Sequence, residues 1–159
     1  MNSDPSGCLK IARDRLANWL DFFLGFLPLA GAFKPVESIV KKAIEHYGKS
    51  KLKDYLKKIF KKVISKSIIN LFKGIIKLIK KKTIITAFMM VFIPKIGKTV
   101  AKLFLEDIKS LNATIIVNLL SKIGNMCIEN IDIFFSAGSF IAGFFDYYSD
   151  KKLNGYITI

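Results

Sequence analysis

The sequence predicts an all-α fold: a single-domain bundle of about six to eight helices over residues 1–159, with apolar helices buried in its centre. Apolar residues recur three and four positions apart over long stretches, the spacing that places them on one side of a helix. No alternating pattern typical of a strand runs for more than a few residues. A length of 159 residues suits one ordinary domain.

The first helix is marked by the pair Asp4 and Pro5, which are expected to be its N-cap and its first residue. We expect this helix to continue through Leu9 and to end before Pro28, because proline disfavours a helical residue before it. The helix leads into residues 18–33, the first of four apolar segments.

A second helix is expected to begin at Pro35 and to end at Gly48 as a C-terminal cap, and a cationic amphipathic region follows at 49–82. Apolar pairs lie about four residues apart there, which leaves the lysines on the opposite helix face. An unbroken helix of this length would be roughly 50 Å long, more than the roughly 40 Å breadth of a compact domain of this size. We therefore expect a break near 65–67 or at Gly74.

The composition combines 52% hydrophobic residues with a net charge of +14, which argues against disorder and favours a partner of negative charge. Among 26 basic residues only Arg13 and Arg15 are arginine, whereas proteins that read bases or grip phosphates favour arginine. The sequence therefore predicts diffuse attraction to an anionic lipid bilayer, with no nucleic-acid partner expected. The lysines expected to dock on lipid are Lys53, Lys57, Lys58, Lys61, Lys62, Lys66, Lys73, Lys77, Lys80, Lys81 and Lys82.

Three further apolar segments cover residues 83–94, 110–121 and 131–149. The first two are shorter than the roughly 20 residues that a helix needs to cross a bilayer. The third is the best candidate span, because its only charges, Asp132 and Asp146, lie near its ends, where charge costs least.

Insertion of the apolar segments is the mechanism that these features predict: the bundle docks, opens, and inserts 131–149 and also 18–33. Asp21, Asp132 and Asp146 would resist insertion while ionised, so stronger vesicle leakage is expected at acid pH. The small residues Gly138, Ala142 and Gly143 are expected to let helices approach closely. The side chains expected to enter lipid are Phe88, Met89, Val91, Phe92, Phe134, Phe135, Phe140, Ile141, Phe144 and Phe145.

Catalysis has few candidate residues, because His46 is the only histidine. Triads and most metal sites need a histidine beside a nucleophile or beside other ligands. We therefore expect no enzyme activity, no metal and no cofactor. Cys8 and Cys127 are expected to be unpaired small core residues, with one disulfide between them as the alternative.

A cationic bundle around apolar helices, together with the ending FIAGFFDYYSDKKLNGYITI, resembles the helical pore-forming domains that bacteria deliver to competitors. These are the colicin type and the ionophore-type toxins of contact-dependent inhibition systems. The resemblance implies a toxin that is secreted or delivered as part of a larger protein, dissipates the potential of the target cell's cytoplasmic membrane, and has a cognate immunity protein. It leaves open an oligomer on the membrane. A colicin pore domain is larger and has a long uncharged helical hairpin, which this chain lacks.

Three other functions compete with this interpretation. A basic helical domain that binds nucleic acid would account for the charge, although no known binding motif is present. A toxic nuclease would use His46 as its general base, whereas an exposed residue in the last turn of a helix, a position that suits the helix dipole, explains His46 better. A bundle that binds an acidic protein would leave both lipid and nucleic acid untouched.

Overall fold

The computed structural model describes residues 2–3, 9–27, 30–130 and 136–159. These residues form seven α-helices, one π-helical turn at Phe60–Ile64 and a small antiparallel sheet, which confirms the predicted all-α bundle. The helices are α1 (Arg13–Leu24), α2 (Ala30–Ile59), α3 (Ser65–Ile79), α4 (Lys82–Ile96), α5 (Lys98–Ser110), α6 (Ala113–Glu129) and α7 (Ala137–Asp150). The strands are β1 (Asn2–Ser3), β2 (Leu9–Ala12) and β3 (Tyr156–Thr158), in the order β1-β2-β3.

The start of the chain differs from the prediction. Asp4 and Pro5 lie outside the described residues, and Leu9 belongs to β2 rather than to a helix. β2 pairs with β3 in the register Ile11 to Ile157, so its backbone groups are satisfied by a segment more than a hundred residues away. Local spacing cannot reveal such a partner. The predicted end of the helix before Pro28 is confirmed, because α1 ends at Leu24.

α2 begins at Ala30, so the predicted start at Pro35 is wrong. Pro35 lies in the second turn, where its missing N–H leaves the carbonyl of Gly31 without an intrahelical donor, and Gly31 is exposed to water. The predicted interruption at Gly48 is confirmed. Its φ of 71° is one that glycine adopts without strain, and it kinks α2 there.

The cationic region is helical almost throughout, and neither predicted break occurs where it was expected. Residues 65–67 and Gly74 all lie within α3. The irregularity is the π-helical turn at Phe60–Ile64, directly before Ser65, whose hydroxyl donates to the carbonyl of Lys61 at 2.8 Å. A π turn carries an extra residue without breaking the helix.

Of the other apolar segments, 83–94 lies within α4, whereas 110–121 joins the end of α5 to the start of α6 across Asn112. The side chain of Asn112 caps α6 by accepting from the N–H of Ile115 at 3.0 Å. Cys127, near the end of α6, is buried and free, and burial raises the pKa of its thiol; Cys8 lies outside the described residues.

The candidate span 131–149 is not one helix from its first residue. Residues 131–135 lie outside the described part of the chain, and α7 begins at Ala137. Ser136 caps it, since its hydroxyl accepts from the N–H of Ser139 while its own N–H donates to the Ser139 hydroxyl. α7 therefore has 14 residues rather than 19. Near the end of the chain, Gly155 has a φ of 89° and leads into the short strand β3.

α7 approaches α1 closely at Gly138. A Cβ built on Gly138 would lie 2.3 Å from the carbonyl oxygen of Ala17 and 2.6 Å from Oδ1 of Asp21. Ala142 and Gly143, farther along α7, are also buried. The small residues expected to aid packing thus lie in the interior of the folded bundle. Their role in helix packing within lipid stays a prediction.

Gly138→Ala is expected to lower the free energy of unfolding by about 1–3 kcal/mol, because the new methyl group meets backbone that cannot rotate away. Gly31→Ala is the matched control: its Cβ meets nothing within 4 Å, and alanine favours the helix by up to about 1 kcal/mol. Urea denaturation followed by circular dichroism measures both. Equal stability of the two variants would contradict the close approach.

Candidate functional site

The eleven lysines expected to dock on lipid are all exposed. They follow a path through the end of α2, the π-helical turn and α3, across the turn at Lys80 and Lys81, to the first residue of α4. We call these eleven side chains the lysine surface. Because ammonium groups are costly to bury, the fold places every one of them in water.

Only two members of the lysine surface have an ion-pair partner among the described residues. Glu129, at the end of α6, lies 3.3 Å from Nζ of Lys53 and 3.0 Å from Nζ of Lys57. Hydrogen bonds from Lys57 and then from Lys53 lower the pKa of the Glu129 carboxyl. The other nine lysines repel one another and attract anions.

The apolar side of the cationic region is turned inward. Leu56, Ile64, Ile68, Leu71 and Phe72 are each at most 2% exposed. The sequence pattern permitted a helix lying in the headgroup region with its apolar face in lipid, but in this fold that face belongs to the core. The folded domain therefore presents mainly lysines to a membrane along this path, with exposed Asp54 and Asn70 among them.

The side chains expected to enter lipid are mostly interior in the folded bundle, which agrees with the prediction that apolar helices are buried in its centre. Met89 and Val91 are half-buried, and Phe134 and Phe135 lie outside the described residues. Aromatic contacts explain the burial, since rings far apart in sequence pack against one another. The buried members are Phe88, Phe92, Phe140, Ile141, Phe144 and Phe145.

The aromatic cluster joins α1, α4, α5 and α7. Phe88 stacks on Phe92 with ring centroids 4.4 Å apart and meets Phe23 edge-on at 5.2 Å. Phe104 lies 4.9 Å from Phe145 and 6.1 Å from Phe88. Releasing α4 or α7 would therefore separate rings that stabilise the core.

The outer face of α4 is exposed and has no charge between Lys82 and Lys95. Thr86, Ala87 and Met90 lie on this face, and Met90 is 71% exposed. Exposed helix faces in water are usually charged. The twelve uncharged residues 83–94 were the signal in the sequence, but periodicity did not show which side of α4 would face out.

A second exposed apolar feature lies at the end of α1. Phe22 and Phe26 are 63% and 70% exposed and meet edge-on, with their ring centroids 5.0 Å apart. They belong to the apolar segment 18–33, but the candidate side chains did not include them. An exposed aromatic pair is typical of a surface that contacts lipid or another protein.

The candidate pH-sensitive aspartates hold α7 in place. Asp146 is fully buried; it lies 3.0 Å from a guanidinium nitrogen of Arg13 and accepts from the N–H groups of Asn154 and Gly155. Asp21 accepts from the hydroxyl of Ser136 and from the N–H of Gly138. Asp132 lies outside the described residues.

Asp146→Asn is expected to lower the free energy of unfolding by about 3 kcal/mol, because it leaves the guanidinium of Arg13, only 12% exposed, without its buried counter-charge. Asp14→Asn removes the other carboxylate near Arg13, which is 87% exposed, and should cost less than about 1 kcal/mol. Equilibrium denaturation measures both losses. A similar small loss in both variants would mean that the buried pair contributes little.

Glu37 on α2 faces Asp21 and titrates differently from an exposed carboxyl. Burial, and next the charge of Asp21, raise its pKa above the ordinary 4.5, while Lys34 opposes the shift. The folded state therefore binds this proton more tightly than the unfolded state does. Ionised Glu37 costs stability at neutral pH, and the cost disappears as the pH falls through the raised pKa.

Glu37→Gln should consequently raise Tm at neutral pH, and the gain should vanish near and below pH 4.5, where the unfolded state is also protonated. Exposed Glu45 on the same helix supplies the control, because Glu45→Gln removes the same charge from a chain of net charge +14. Thermal melts across this pH range test the difference. A Glu37→Gln gain that does not depend on pH would contradict the assigned cause.

His46 is exposed near the end of the first part of α2, with its ring edge-on to Tyr47 at 4.6 Å. Among the described residues no group of three or more His, Cys, Asp or Glu side chains is placed to hold a metal ion. Among the described residues, no hydrogen bond or ion pair joins a second catalytic side chain to His46.

No single described helix is both long enough and apolar enough to cross a bilayer; α5 and α6 meet that standard only together, across a bend of 96°. Comparisons with protein-family models, curated proteins and solved structures give no match to this chain. Its function is therefore inferred from its own residues.

Proposed function

We propose that this domain is a membrane-active, pore-forming toxin domain that docks on anionic lipid and then inserts apolar helices to dissipate the membrane potential. The carrying observation is the lysine surface, nine of whose members have no ion-pair partner among the described residues, leading directly into the uncharged outer face of α4. The proposed partners are an anionic bilayer and, by the resemblance noted above, a cognate immunity protein.

Docking would be electrostatic, because the apolar side of the cationic region is buried. Each lysine near an anionic leaflet contributes about 1 kcal/mol at modest salt, so five or six lysines would give attraction in about the micromolar range. Such attraction weakens as salt screens exposed charges.

Insertion would begin at α4, the most hydrophobic in composition of the described helices. Met90 and its uncharged neighbours are already exposed, and Lys82 and Lys95 can stay among the headgroups at the two ends. Phe88 and Phe92 would pass from one apolar environment into another, so their transfer costs little. α7 would follow only after the contacts of Asp21 and Asp146 are lost.

Met90→Glu should reduce dye release from anionic vesicles by about tenfold or more while leaving vesicle binding intact, because it puts a charge where α4 would meet hydrocarbon. Asn118→Glu, on the exposed face of α6, adds the same charge elsewhere and should release dye like the unchanged chain. Co-sedimentation measures binding, and dye release and membrane potential measure insertion, each on anionic and neutral vesicles at neutral and acid pH.

Other outcomes would select other functions. Vesicles that stay sealed at every pH, with the protein folded, would contradict the proposal. Salt-sensitive DNA binding without vesicle binding would favour a nucleic-acid-binding domain. Loss of toxicity in His46→Ala, with binding to lipid absent, would favour a nuclease.

A further inference from the structure

A groove of about 510 Å³ lies between α6 and the helical path from the end of α2 into α3. Its volume falls in the range of roughly 300–1,000 Å³ that is usual for sites that bind small molecules. Most of its lining is apolar: Leu120 and Ile128 are buried, Ile69 is half-buried, and Val117 is 44% exposed. The polar side chains Ser65, Ser121 and Asn125 also line it.

The groove has its shape because Phe60 packs directly on the backbone of α6. A Cβ on Gly124 would lie 2.8 Å from Cε1 of Phe60, so only glycine lets the ring lie there. Phe60 is also the first residue of the π-helical turn, which alters the helical spacing at the mouth of the groove. Such turns are frequent at functional sites.

The mouth of the groove is cationic. Lys57, Lys58 and Lys61 line it, and no acidic residue is among its lining residues. Glu129 pairs with Lys57 at 3.0 Å, whereas Lys58 and Lys61 form no ion pair with a described residue. An apolar trough ending at two or three lysines complements a molecule with a hydrocarbon chain and one anionic end.

We propose that this groove binds a free long-chain fatty acid, with the chain along α6 and the carboxylate at Lys58 and Lys61. A ligand with one chain is proposed because the groove runs between a single pair of helical segments, α6 on one side and the path from α2 into α3 on the other. The site does not depend on pore formation, since it would bind a monomeric ligand in the absence of any bilayer.

The test titrates the full chain, without vesicles, with a polyene fatty acid that fluoresces in apolar surroundings, below its micelle concentration. Lys58→Gln/Lys61→Gln should weaken affinity by about tenfold, the loss of one to two charge-assisted contacts. Lys62→Gln/Lys66→Gln removes the same charge from exposed positions outside the groove and should change affinity by less than about twofold.

Two further variants test the groove itself. Ser121→Trp fills it from an exposed position of α6 and should abolish binding, while Ser121→Ala should not. Glu129→Gln frees Lys57 and should tighten binding by about two- to threefold. The long-chain alcohol, which lacks the carboxylate, should bind more weakly than the acid.

Equal weakening in the two lysine pairs, unchanged binding in Ser121→Trp, or no binding to the unchanged chain would overturn the proposal. Vesicle docking separates this site from the proposed function. Both lysine pairs should weaken docking alike, because diffuse attraction counts charges rather than positions. If the domain leaves vesicles sealed but binds the fatty acid, the result would contradict the proposed pore formation and support the fatty-acid site.

Discussion

The packing of α1 against α7 is the interaction on which the rest of the structure depends, and polar groups secure it at both ends. Arg13 and Asp146 form a buried ion pair at one end, and Asp21 binds the start of α7 at the other, where Gly138 admits the backbone of α1. The N–H of Arg13 also donates to the carbonyl of Gly155, which ties α1 to the turn before β3. These contacts join the early and late parts of the chain. The helices α2 to α6 therefore lie between two parts of the chain that are fixed to each other.

The packing of α1 against α7 offsets the electrostatic repulsion within the lysine-rich middle of the chain. A net charge of +14 disfavours a compact state through self-repulsion, and most of the excess comes from the lysine surface. The aromatic cluster and the α1–α7 contact compensate, because they bury large rings and pair the few inward charges. A leaflet of opposite charge would relieve this repulsion. The same lysines that destabilise the folded domain would therefore draw the domain to lipid.

Sequence periodicity was enough to predict the helices and the outward lysines, because both depend on local spacing. Gly48 was also predictable, since glycine marks positive φ. β2 was not, because it pairs with β3, a segment more than a hundred residues away in the sequence. The shortened α7 was missed although its signal, serine at 136 and 139, stands in the sequence. The groove was not foreseeable, since Phe60 and Gly124 meet only in the fold.

The reactivity of Cys127 would report any opening of the bundle. Its thiol is 1% exposed, and burial raises its pKa, so alkylating reagents, which attack the thiolate, cannot reach it while α6 stays in place. In a chain with Cys8 replaced by serine, the alkylation rate would report how often α6 leaves the core. Comparing that rate in buffer and on vesicles would time the unpacking of the interior independently of whether a pore conducts.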